Sequence, residues 1–264
     1  MGQIEKSINN IELVEKVNEL SVVLYTDSFF YGLWTDNHQL VKSDEHSIAN
    51  FDQLLKIWDN NFNLEMVRVL STQKPYVHLL GDDYEEQYFE DYFKGIYNVK
   101  RKKAYDREVD SFFSPTTHTL HYLQPQVVDA LSQYEFPFKM AHISSALANY
   151  AVLKKCNLLV FVNESDLHLA YVKDGKFKFY NQFYCKSSTD YLYYILLLLK
   201  AHNLDPKDQD VCLGGHVSQN SYLFEQLSGY LGKIKVIDQN IQISSSRDID
   251  YQLFFDLYLC RTCV

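Results

Sequence analysis

The chain has 264 residues, 47% hydrophobic and 22% charged, which suits one large or two ordinary globular domains and excludes a disordered protein. A net charge of −9 gives no electrostatic drive toward phosphate backbones, so nucleic acid is not an expected partner. The longest apolar run begins at Tyr191 and falls short of the ~20 residues of a membrane span.

The first ten residues carry Glu5 and Lys6 without a signal-peptide core, and the five cysteines are scattered in apolar surroundings. Both point to a reducing, cytoplasmic location. Residues 1–19 read as an amphipathic lead-in, with Ile11, Val14 and Val17 at helical spacing. Strands are predicted over Leu20–Thr26, over Phe29–Asp36 and from Gln39, joined by turns at Asp27-Ser28 and Asn37-His38. A helix from Asn50 through Trp58 and a strand over Glu65–Leu70 follow.

Residues 71–106 read as an insertion, with a turn at Lys74-Pro75, an acidic aromatic helix over 82–97 and the basic run Lys100-Arg101-Lys102-Lys103. In that helix Tyr84, Tyr88, Phe89, Tyr92 and Phe93 recur as one stripe. Tyrosine suits a half-wet interface, so Tyr84, Tyr88, Tyr92 and Phe93 are candidates for binding another protein or a second copy. A stripe packed on the protein's own sheet is the alternative. Beyond the insertion come a strand over Thr117–Tyr122, a helix over Gln126–Tyr134, a strand over Phe138–His142 and a helix over Ser144–Lys154. His118 and His121 fall on opposite faces of their strand and cannot share a metal.

From Leu158 the chain repeats its opening. Leu158–Val162 is an apolar run suited to a central strand covered on both faces. Asp174-Gly175 turns a hairpin of Asp166–Lys173 and Lys176–Phe183. Ser187 and Asp190 have capping-box spacing before a helix, apolar on every side over Tyr191–Leu199 and so expected to be buried. The same offset of 137 residues carries Asn37 onto Asp174 and Ser28 onto Ser165. Two similarly folded halves are therefore expected, 1–155 and 156–264, joined near Lys155. The second half closes with a strand over Asp210–Leu213, a helix over Gln219–Leu231, a strand over Lys233–Ile237 and an apolar element over Tyr251–Cys260.

Three antiparallel strands followed by helix, strand, helix, strand and helix, occurring twice, resembles the actin, sugar-kinase and heat-shock-chaperone superfamily. The text of Lys173-Asp174-Gly175-Lys176, Tyr180-Asn181-Gln182-Phe183 and Leu213-Gly214-Gly215 is similar to the bacterial family called domain of unknown function 3822. The resemblance implies an α/β fold of duplicated actin-like ATPase (RNase H-like) domains, each with a mixed five-stranded sheet, and a nucleotide cleft between them. It places Asp27 and Ser28, Ser165 and Asp166, and Gly214 and Gly215 at the phosphate and adenosine positions, with ATP and Mg²⁺ as the possible cofactors. Both phosphate turns lack the glycines that let backbone N–H groups approach phosphate, and Phe29 and Phe30 follow the first, where they are expected to obstruct it. A glycine pair after a strand also serves packing alone. No P-loop, nucleophile elbow or dinucleotide fingerprint occurs, and Cys260-x-x-Cys263 has no evident cation to activate a thiol. The reading is a non-catalytic binding or scaffold protein with degenerate phosphate loops. An ATP-binding enzyme or switch using Asp27 and Asp166 is the alternative.

Overall fold

The computed structural model describes residues 17–97, 105–237 and 254–263, apart from 38, 111, 112 and 114. The first sheet is built from β1 (Val17–Leu24), β2 (Ser28–Thr35), β3 (Leu40–Ser47), β4 (Met66–Ser71) and β8 (Phe138–His142), in the order β3-β2-β1-β4-β8. β1, β2 and β3 form an antiparallel meander, and β4 and β8 add in parallel. Val17, placed by its spacing in a helical lead-in, opens β1 instead, and a register shift between Val17 and Glu19 leaves it on the same core as Leu20. Leu20, Val22 and Leu24 face one core while Val23 faces another. The outer face lies under α1 (Phe51–Asn61) and α2 (Pro125–Leu131), where Phe29, Tyr31 and Trp58 pack.

The second sheet repeats the plan with β9 (Leu158–Asn163), β10 (Asp166–Lys173), β11 (Lys176–Tyr184), β12 (Asp210–Gly215) and β13 (Lys233–Val236), ordered β11-β10-β9-β12-β13. β9 is central and covered on both faces. Asp174 and Gly175 both take positive φ in the β10–β11 turn. Helices α4 (Ser188–Ala201) and α5 (Tyr222–Tyr230) cover the outer face, α4 starting in a full capping box of Ser187 and Asp190. The burial expected of α4 on all sides is not found. Only Ile195, Leu198 and Leu199 are buried, and Tyr193 and Leu197 face solvent, because a single sheet face covers a single helix stripe.

The inserted region departs furthest from expectation. Thr117–Tyr122 is β7, and it joins neither large sheet; it is the middle strand of a third, antiparallel sheet with β5 (Tyr76–Leu80) and β6 (Tyr105–Asp110). In place of an α-helix over 82–97 there are three short 3-10 turns at Gly81–Asp83, Glu86–Tyr88 and Asp91–Phe93. Tyr, Phe and Asp are indifferent helix formers, and Glu86 and Glu90 would repel at i, i+4. The basic run at 100–103 lies outside the described residues.

The two lobes are tied by their last helices. α3 (Ile143–Leu153) leaves the first sheet and packs on β10, β9 and β11 of the second, while α6 (Phe255–Cys263) packs on β1, β4 and β2 of the first. The helices also touch each other, with Tyr150 and Phe255 rings edge to face at 5.1 Å. Glu19 on β1 holds Arg68 at 3.0 Å and the α6 residue Arg261 at 3.3 Å. Gly214 is flush at the contact: a Cβ there would lie 2.9 Å from the Phe255 ring. Phe255 is fully buried among both lobes. Phe255→Ala should cost about 3–5 kcal/mol of unfolding free energy, measured by urea denaturation.

Candidate functional site

Between the lobes lies a cleft of about 780 Å³, and the two hairpin turns at the ends of β1 and β9 both open into it. Asp27, Ser28, Ser165 and Asp166, separated by more than a hundred residues in the chain, all line it. Gly214 and Gly215 are not among the lining residues; His216, the next residue, is. Both glycines are required by packing. Gly215 has φ +86, and a Cβ on it would meet the Val162 carbonyl oxygen at 2.0 Å.

The turns are short and their backbones are engaged. Tyr25 N–H donates to Ser28 O at 2.9 Å, and the Asp27 carbonyl accepts from Ile48 N–H at 3.0 Å. Ser28 Oγ donates to Glu45 at 2.5 Å. In the second turn Glu164 takes φ 48, its carbonyl accepts from Tyr191 Oη at 2.6 Å, and the Ser165 carbonyl accepts from Cys185 N–H at 2.7 Å. Phe29 does not obstruct the cleft as expected, because β2 alternation sends it to the outer core, 5.2 Å from Phe51. Phe30 alone of the pair enters the cleft, against Phe254 at 5.6 Å.

Asp256, at the start of α6, is buried at the cleft floor and accepts a hydrogen bond from Tyr25 Oη. Burial pushes its carboxyl up to about 6, partly offset by the Tyr25 hydroxyl and the Leu257 N–H. Asp166 is also raised, chiefly by burial. Six carboxylates line the cleft: Asp27, Asp44, Glu45, Glu164, Asp166 and Asp256. No Lys or Arg among the described residues does. Lys74 stands nearby, donating to the Gln182 carbonyl at 3.1 Å, and burial lowers its pKa. Among the described residues no group of three His, Cys, Asp or Glu is placed to hold a metal. Asp44, Glu45 and Asp256 carry no local motif, so sequence reading misses them; tertiary contact alone brings β3 and α6 to the cleft.

The inserted aromatics do not form the expected docking stripe. Phe93 is fully buried with Phe89 and Leu120, since the 3-10 turns rotate alternate rings inward. Tyr92 spends its hydroxyl on Glu85 N–H at 2.7 Å and Asp83 O at 2.8 Å. Tyr84 stacks on Tyr92 and His118. Tyr88 remains exposed, at 46%.

Cys156, two residues before β9, and Cys212 on the neighbouring β12 are paired as a disulfide. Sequence separation hides a pairing that strand order creates. Cys260 is buried, contacts the Val22 and Arg68 carbonyls, and has its thiol pushed up to about 12 by burial. Such a thiol is inert.

The two five-stranded sheets with exchanged helices define an actin-like ATPase fold. A protein of that fold and unknown function from Bacteroides thetaiotaomicron aligns with a TM-score of 0.71 and 15% identity over 100% of both chains. The PilM–PilN type IV pilus biogenesis complex contains a chain that aligns at TM-score 0.52 and 11% identity, over 90% of this chain and 94% of that one. The model of the family described as protein of unknown function (DUF3822) matches residues 15–234, and the chain belongs to this family. No curated protein matches it. No described helix is long and apolar enough to cross a membrane.

Two measurements check the site. The folded-state pKa of Asp256 lies above the unfolded value, so wild-type stability falls as pH rises from about 4 through 6. The stability of Asp256→Asn relative to wild type should therefore climb by roughly 2–3 kcal/mol between pH 4 and 7 in urea titrations. On the insert, Phe93→Ala should cost about 3–5 kcal/mol and Tyr88→Ala less than about 0.5 kcal/mol, read from paired melting curves.

Proposed function

We propose that this chain is a non-catalytic binding protein whose interlobe cleft holds a cationic segment of another protein. The charge of the cleft carries the reading. Of its six carboxylates, Asp27 and Asp166 stand at the positions that the superfamily resemblance gives to a nucleotide's phosphates. At an effective dielectric of 20, each like-charge pair about 4 Å apart costs about 4 kcal/mol. ATP fits these residues poorly, because the turns lack glycine and no cation among the described lining residues offsets the repulsion. A lysine or arginine side chain reverses the sign. Tyr184 and Phe254 offer rings for its stem and head.

The fold-mate PilM, found together with PilN, shows that this architecture occurs in a protein–protein assembly. Tyr88 is the part of the insert's aromatic row left available to such a partner or to a second copy. Asp27 and Asp166 facing one cleft is the observation that favours the alternative of Mg²⁺-ATP binding.

Calorimetry with a lysine-rich peptide should show binding that weakens on raising salt from 50 to 200 mM, as exposed charge pairs are screened. The double substitution Asp27→Asn with Asp166→Asn should weaken it at least ~10-fold, about 1.4 kcal/mol. Binding of Mg²⁺-ATP below ~10 μM, about 7 kcal/mol, that disappears in Asp27→Ala would overturn the reading.

A further inference from the structure

Behind the cleft, where the three sheets meet, four histidines share one contact network. His78 comes from β5, His121 from β7, His142 from the end of β8 and His168 from β10. His121, His142 and His168 are buried, and His78 is partly so. The His142 ring lies 5.6 Å from His121, 6.4 Å from His78, 4.7 Å from Tyr76 and 5.8 Å from Tyr180. His168 Nδ1 is 2.8 Å from Tyr180 Oη. The network thus touches the insert, the first lobe and the second lobe at once.

His142 has a second task. It is the N-cap of α3, the helix that ties the first lobe to the second sheet: its Nδ1 accepts from Ser144 N–H at 3.3 Å and lies 2.7 Å from Ser144 Oγ. A protonated ring has no acceptor to give and would set a positive charge against the positive end of the helix dipole. We propose that this junction is a pH-operated latch, in which neutral His142 caps α3 and holds the lobes closed on the insert, and protonation uncaps α3 and opens the junction.

The groups around the network favour the neutral state at His142 and His168. Burial holds His142 well below the ordinary histidine range, with the other histidines adding to the effect, and holds His168 at about 3, with Lys74 adding. Tyr76 and Tyr180 are both raised by burial and contribute no charge near neutrality. Asp166, at the start of β10, and Lys74 lie at the cleft side and act on each other. β6 pairs with β7 so that Asp106 is opposite His121 and Glu108 opposite Thr119 in register, and His121 is left out of the latch. Burial also holds His78 at about 3, with His121 adding, so His78, His142 and His168 carry it.

Opened to water, a histidine titrates near 6.5, so the closed form is fully favoured above that pH and loses ground as pH falls below it. Each histidine that is neutral when closed multiplies the opening constant by about 10 between pH 7.5 and 5.5. Hydrogen exchange of the full chain, corrected for the intrinsic pH dependence, reads that constant at the amides of Ile143–Leu147 in α3. The expected result is an increase about 10-fold larger in wild type than in His142→Asn, where the side chain still caps but cannot titrate. An identical increase in both proteins overturns the proposal. Should the variant not fold, wild type decides alone: exchange at Ile143–Leu147 that accelerates no more than at central strand β9 overturns it, and selective acceleration supports it.

Discussion

The exchange of closing helices is the constraint on which the other features of the molecule rest. Each sheet has an outer face covered by its own helices and an inner face that its own half leaves bare. α3 and α6 cover those inner faces crosswise, so the middle core contains residues of both lobes and neither half completes its burial alone. The particular residues answer to this. Gly32 and Gly214 give α6 room, Phe255 fills the space between sheets, and Glu19 fastens Arg261 over the Trp34 ring at 4.9 Å.

The cleft follows from the same crossing. Because α6 runs back over the first sheet, its first residues form the floor between the two hairpin turns, which is how Phe254 and Asp256 come to lie beside Tyr25 and Phe30. A carboxylate buried there is costly, and the fold tolerates it through the Tyr25 hydroxyl and a raised proton affinity. The site that the superfamily resemblance assigns to phosphate binding is here acidic and aromatic, a combination suited to cations. The histidine junction borders the same crossing from the other side, with α3 as the shared element.

Much of this architecture is legible in the amino-acid sequence. The unbroken apolar run of β9, the Asp174-Gly175 turn and the Ser187–Asp190 capping box are short-range physics, and local sequence determines them. The 137-residue offset announces two matched meanders, and both sheets have them. Asp27, Ser28, Ser165 and Asp166 are findable because turn residues sit where hairpins end. What escapes such reading is long-range in origin. β7 fits the main repeating pattern on paper yet joins the third sheet, because a strand's own residues do not say which edge it will pair with. The aromatic row of the insert has helical spacing, yet its rings find burial through 3-10 turns against Leu120.

The elements, their order and their duplication are thus written in the chain itself, since backbone turns, caps and alternation depend on neighbours within a few residues. The crosswise packing of α3 and α6, the pairing of Cys156 with Cys212, the meeting of four histidines and the six-carboxylate lining of the cleft were settled by tertiary structure alone. Each of these joins side chains from distant segments, and burial and electrostatic coupling arise only when the fold removes the water between them.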